Sequence, residues 1–115
     1  MPWLIQDKKT FVEFIQLFNQ GKYFESHEIL EILWQKSSGR KKQFYQGLIQ
    51  AAVALHHDAN QNKHGAIKEY LYSIEKLKNF HASYLGVNIK KFIRELSLYF
   101  TPSSLKKNLP KIHSS

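Results

Sequence analysis

The chain has 115 residues, of which 43% are apolar, and a net charge of +8. That length makes one globular domain and leaves no material for a second. Without a single cysteine, it excludes a disulfide framework, a thiolate nucleophile and a cysteine-ligated zinc site, and it fits a reducing, cytoplasmic compartment.

No apolar run approaches the ~18 residues needed to cross a bilayer. The opening MPWLIQDKKTF lacks the basic start and apolar stretch of a signal peptide, so the chain reads as soluble and unexported. Fifteen of its 17 basic residues are lysines, with only Arg40 and Arg94 as arginines. Sequence-specific nucleic-acid recognition favours the planar guanidinium, so this bias argues against such a role. A basic surface still draws polyanions in a salt-dependent way.

In chain order, Thr10 with Glu13 forms a capping box, followed by Phe11, Phe14, Ile15 and Phe18 at helical spacing. The first helix is therefore predicted from Phe11 to Asn19, ending at Gly21. A second runs from Tyr23 to Lys36 and is broken by Ser37, Ser38 and Gly39. The third spans Lys41 to Ala59, and a turn over Asn60 to Lys63 leads to a fourth, from Gly65-Ala66 to Phe80. Asn88 can cap a fifth helix, Ile89 to Phe100, which Thr101-Pro102 ends. No segment alternates as a strand does, so the fold is all-α. Residues 1–102 form the helical domain, and 103–115 a polar, basic, loosely held tail.

An internal echo links NQGKYFESHE at Asn19 with NQNKHGAIKE at Asn60, an offset of 41 residues that pairs Gly21 with Asn62, Leu30 with Leu71 and Leu33 with Ile74. Two helical hairpins on one plan plus a C-terminal helix, repeat-like, follow from it.

The second helix carries the polar residues that most invite chemistry. Glu31, Trp34 and Tyr23 fall within about 40° of His27 on a helical wheel, and Glu28 about 100° away. Because Ile29, Ile32 and Leu33 occupy the far side, apolar residues surround the helix and mark it as central. His27 and Glu31 are thus expected to be partly buried and to need partners. On the third helix Gln46, Gln50 and His57 form one stripe facing the same way, while His56 lies about 100° from His57.

Three readings of these residues compete. In the first, His27, Glu31 and His57 hold a divalent metal for hydrolase-like chemistry, although HExxE lacks the second histidine of the zinc signature. In the second, a buried Glu31 and His27 move a proton for a small substrate. In the third, they only satisfy each other and a glutamine, which fixes helix register. No nucleophile, phosphate-binding glycine loop or cofactor fingerprint accompanies them.

The favoured function is accordingly a non-enzymatic module that binds a partner protein or small ligand at a polar pocket between the second and third helices. Its candidate residues are His27, Glu28, Glu31, Trp34, Gln46, Gln50 and His57. One alternative is the metal-dependent, hydrolase-like or metal-binding protein that uses His27, Glu31 and His57, and another is a basic accessory protein docking on nucleic acid or an anionic surface. The latter rests on Lys90, Lys91, Arg94, Lys106, Lys107 and Lys111, opposed after Val87 by Glu95 alone. The apolar bulk of the second helix also leaves a homo-oligomer open.

The segments FNQGKYFESHEILEILW, FYQGLIQAAVALHH, the Gly65-Ala66 opening and LGVNIKKFIREL resemble a family catalogued as domain of unknown function 309. The resemblance rests on Gly21, His27, Glu28, Leu30, Glu31, Trp34, Gly47, Leu48, Gln50, Gly65 and Ala66. It implies a compact all-α domain of bacteria and plastid-bearing organisms, with a plastid stroma as the alternative compartment, and it implies no activity. Where the family has a glycine before asparagine in the turn, this chain reads Asn60-Gln61-Asn62.

Overall fold

A computed structural model describes residues 4–101 and 108–115. Among the described residues five helices carry the fold: α1 (Ile5–Asn19), α2 (Tyr23–Gln35), α3 (Gly39–Ala59), α4 (Lys63–Leu77) and α5 (Ile89–Tyr99). The all-α expectation holds, with a two-residue hairpin added between α4 and α5, β1 (Ser83–Tyr84) and β2 (Val87–Asn88), paired antiparallel. Leu85 and Gly86 between them both have positive φ, which tight two-residue hairpin turns require. Nothing four residues long alternates there, so the strand pattern had no length in which to show.

The first helix starts six residues before the expected Phe11. Thr10 does not cap it: its hydroxyl donates to the carbonyl of Gln6 one turn back (3.0 Å), inside the helix. No breaker separates Ile5 from Thr10, and Asp7 in the first turn complements the helix dipole. Asp7 also pairs with Lys36 past the end of α2 (2.6 Å), which ties the two ends of that hairpin. Two asparagine caps are real: Asn62 accepts from the N–H of Gly65 and Asn88 from that of Lys91, each at 3.0 Å.

The two hairpins, α1–α2 and α3–α4, turn identically. The N–H of Gly21 donates to Phe18 and that of Lys22 to Leu17; in the second turn Gln61 donates to Asp58 and Asn62 to His57. This is the Schellman closure, in which the residue after the helix takes a left-handed conformation. Gly21 has φ +80 and Gln61 has φ +62. The backbone therefore repeats at an offset of 40 residues, not 41. The letters Asn-Gln-x-Lys had paired Gly21 with Asn62, but Gln61 makes the turn and Asn62 caps the helix after it.

The core is aromatic at one end and close-packed at the other. Phe11, Phe14 and Phe18 of α1 meet in series at ring separations of 5.9 Å. Phe18 reaches Phe92 of α5 and Phe11 reaches Phe44 of α3. Across α3, Gly47 lets α4 approach: a Cβ there would lie 2.8 Å from the Cδ2 of the buried Leu77. Ser73, fully buried, donates its hydroxyl to the Gly47 carbonyl at 2.6 Å. None of the described helices is long and apolar enough to cross a membrane.

The expectation of a loose tail is corrected for residues 108–115. Pro110 and Ile112 are buried, Ser114 bridges Val87 of β2, and Asn19 holds both backbone groups of Ile112. Polar composition suggested solvation, but buried apolar residues at alternate positions, 110 and 112, are what an extended segment needs to dock by one face. The boundary at 102 and 103, and Lys106 and Lys107, lie outside the described residues.

A polar stripe on α3 between α2 and α4

His27 pairs with Glu31 one turn on (Nε2–Oε2 3.1 Å), and its Nδ1–H donates to the carbonyl of Phe24 (2.8 Å). The pair is partly buried: the Glu31 side chain is 42% exposed and that of His27 20%. Apolar residues do not seal α2 on every side, because Ile32 faces solvent. Only one side of α2, carrying Tyr23, Ser26, Leu30 and Leu33, is buried. Glu28 is exposed on the outer face. Trp34, half-buried, lies beneath the Lys42 ammonium at 4.2 Å from its ring centre.

Contacts on both sides of α3 locate its polar stripe. Toward α2 it presents Lys42 to Trp34 and His56 to Phe24, whose rings are 5.4 Å apart. Toward α4 it presents Gly47. At 100° per residue, Gln46, Gln50 and His57 fall between those two directions, about 60° to 100° round from the Lys42–His56 line. The stripe therefore faces the interval between α2 and α4 rather than the interior beneath α2.

The side chains on it differ in how they are satisfied. His57 Nδ1 lies 3.5 Å from the Asn62 amide, which is too long to hold it firmly. Gln46 is half-buried. Gln50 is buried, and its Oε1 has no hydrogen-bond partner among the described residues. Buried amide oxygens are paired in the great majority of cases, so this one is exceptional.

His57 does not join His27 and Glu31. Among the described residues, no three His, Asp or Glu side chains stand where they could hold a metal ion, so the three-ligand set of the metal reading is not assembled. The imidazole brought toward His27 is that of His56, through Phe24, whose ring is 5.2 Å from His27 and 5.4 Å from His56. Lys42, Ile49 and His56 recur every seven residues, and that spacing was the available signal for the face that meets α2.

The basic set at the C-terminal end is partly committed. Lys90 and Arg94 are exposed, but Lys111 spends its ammonium on the carbonyl of Asn19 at 2.7 Å. Ionisation is displaced at three tyrosines off the stripe. Burial, then a hydrogen bond to Asp58, pushes Tyr99 up to about 12. Burial, then the charge of Asp58, raises Tyr23, and burial with Asp7 behind it raises Tyr45.

Relatives share this architecture's sequence without adding an activity. The chain is 39% identical over 75 residues to an uncharacterized protein, YpuF, of Bacillus subtilis (strain 168), which covers 64% of this chain and 43% of that protein. It is 30% identical over 73 residues to an uncharacterized protein of Aquifex aeolicus (strain VF5), covering 63% of this chain and 22% of the relative. The matched region thus spans less than half the length of either relative. The model for the domain of unknown function DUF309 matches residues 11–68, the stretch from the first aromatic of the core through both hairpin turns to the opening of α4. The chain belongs to the DUF309 family.

Proposed function

We propose that the protein is a non-enzymatic binding module, and that the polar stripe of α3 receives a ligand carrying an N–H donor. The observation that carries this reading is the lone buried Oε1 of Gln50. An acceptor left unpaired in a buried place costs about 1–3 kcal/mol, and a binding partner that supplies the donor recovers that cost on association. The ligand class is a backbone or side-chain amide of a partner polypeptide, or a small molecule with equivalent donors. His27, Glu31 and Trp34 from α2, with Gln46 and His57 on α3, border the same interval and supply further polar contacts. A polypeptide partner also fits the exposed aromatic Phe24 beside His27, since aromatic side chains contribute disproportionately at interfaces.

Thermal and chemical unfolding of Gln50→Met tests this in the free protein. Methionine keeps the length of the side chain and removes the unpaired acceptor. The variant is expected to be as stable as the parent or more stable, by about 1 kcal/mol. A loss of stability of that size means that Gln50 is a structural residue, and the reading fails.

A further inference from the structure

The segment from Pro110 to Ser115 is held as a bound peptide is held. Asn19, at the end of α1, donates its amide to the carbonyl of Ile112 (2.9 Å) and accepts the N–H of Ile112 (2.8 Å). One side chain thereby imitates the paired edge of a strand. Glu95 of α5 reads the two flanking residues, Oε1 accepting the N–H of Lys111 and Oε2 the imidazole Nε2–H of His113, both at 3.0 Å. The N–H of Asn88 donates to the His113 carbonyl, and the N–H of Ser115 to the carbonyl of Gly86. Ile112 is 4% exposed and joins the main core.

Each receiving group in these contacts belongs to α1, α5 or the β1–β2 hairpin, and each received group to the six-residue segment. The site therefore has a backbone-reading part (Asn19 and the hairpin edge) and a side-chain-reading part (the Ile112 socket and Glu95). Such a division is typical of peptide recognition by strand addition.

The geometry points to an exchangeable docking groove: we propose that Asn19, Glu95 and the β1–β2 hairpin of one copy bind the Pro110–Ser115 segment of a second copy. The second copy is the occupant because its segment is identical in sequence to the one already seated, so every contact above is available to it. Tethering gives the chain's own segment an effective concentration on the order of mM, so self-docking prevails in dilute solution. Exchange takes over when self-docking is disabled or the protein is concentrated, as in domain swapping.

Two full-length variants make the test. Asn19→Ala keeps an intact segment and damages the groove, while Ile112→Asp keeps the groove and damages the segment. Neither closes its own clamp, but together they contain one complete clamp in trans. Mixed at high concentration, they are expected to form a 1:1 complex by light scattering after gel filtration, with each alone monomeric. A mixture that elutes as monomers while both variants keep their helical circular dichroism overturns the proposal.

If either variant loses its helical signal, a fluorescent Asn108–Ser115 peptide is titrated instead into an Ile112→Ala chain, whose own segment is weakened and leaves the groove open to competition. Saturable binding is expected, competed by unlabelled peptide and weakened by about tenfold or more when the peptide carries aspartate at position 112. No binding up to the solubility of the peptide overturns it equally.

Discussion

The two hairpins have one backbone plan and opposite fillings. At the offset of 40, Phe11 and Phe14 of α1 correspond to Ala51 and Ala54 of α3, Leu33 of α2 to Ser73 of α4, and Phe18 to Asp58. All of these but Asp58 are buried. The difference follows from position. Helix α3 packs against both α2 and α4, so it carries small residues that let both approach. Helix α1 stands at the end of the array, and its rings cross a wider gap to Phe44 and Tyr45 at 6.2 and 5.9 Å. The repeat thus lives in turn chemistry, while helix length and side-chain volume differ between the copies and the volume follows the number of neighbours.

Removing the filling where it is bulkiest has the largest effect. Phe14→Ala deletes a ring with no exposure at all, and a loss of about 3–5 kcal/mol is expected in denaturant unfolding. A loss below about 1 kcal/mol would mean that α1 collapses onto α3 without its rings, and the contrast between the hairpins would be cosmetic.

Asp58 stands where the first hairpin has Phe18, and it accepts the hydroxyl of Tyr99 at 2.5 Å. Tyr99→Phe is expected to cost about 1.5 kcal/mol near neutral pH, the range for a hydrogen bond to a charged group. The bond also sets a pH dependence. In the folded chain Tyr99 holds its proton up to about 12, against about 10 when unfolded. The folded state binds the proton more tightly, so this contribution is complete below about pH 10 and declines as pH rises toward 12. Unfolding midpoints measured across that window should fall less steeply for Tyr99→Phe than for the parent. Parallel slopes would assign the alkaline loss to Tyr23 and Tyr45 instead.

The turns allow a reciprocal exchange. Gln61 adopts φ +62 with a side chain, and Gly21 adopts φ +80 without one. Gln61→Gly should therefore stabilise by about 1 kcal/mol and Gly21→Gln should destabilise by a similar amount, the left-handed penalty less the added chain entropy of glycine. If both changes lie within about 0.3 kcal/mol of zero, the two turns are not equivalent in energy.

What could be read from the residues alone sorts along the same lines. Helix spacing, the Asn88 cap and the stripe of Gln46, Gln50 and His57 were legible because a 3.6-residue period records which side of a helix faces inward. The start of α1 was missed because a favourable cap signal at Thr10 sat inside a helix that had nothing to stop it earlier. The clamp at Ile112 was missed because its hydrogen-bonding partners, Asn19 and Glu95, are 93 and 17 residues away in sequence, and no local pattern encodes such a distance. The reading of α2 as a helix covered on all sides went too far because an apolar residue such as Ile32 can face water: the hydrophobic pattern limits what a helix can bury without requiring that all of it be covered.

His27→Ala carries the smallest expected effect and bears most directly on the candidate site. At the corresponding places in the second hairpin, Ile67 and Leu71 replace His27 and Glu31, both exposed, and the hairpin closes in the same way without an ion pair. The backbone plan therefore does not depend on that pair. An i, i+4 pair on a half-open helix face contributes only about 0.2–0.5 kcal/mol, and the bond to the Phe24 carbonyl lies within the helix's own turn. A change in the unfolding midpoint equivalent to less than about 0.5 kcal/mol is expected for the variant. A loss above about 1 kcal/mol would show that the imidazole is needed for packing beside Phe24 and His56. In the expected case, His27 and Glu31 are spare to the fold and available to a ligand that reaches Gln50, so the same substitution should weaken binding while leaving stability nearly unchanged.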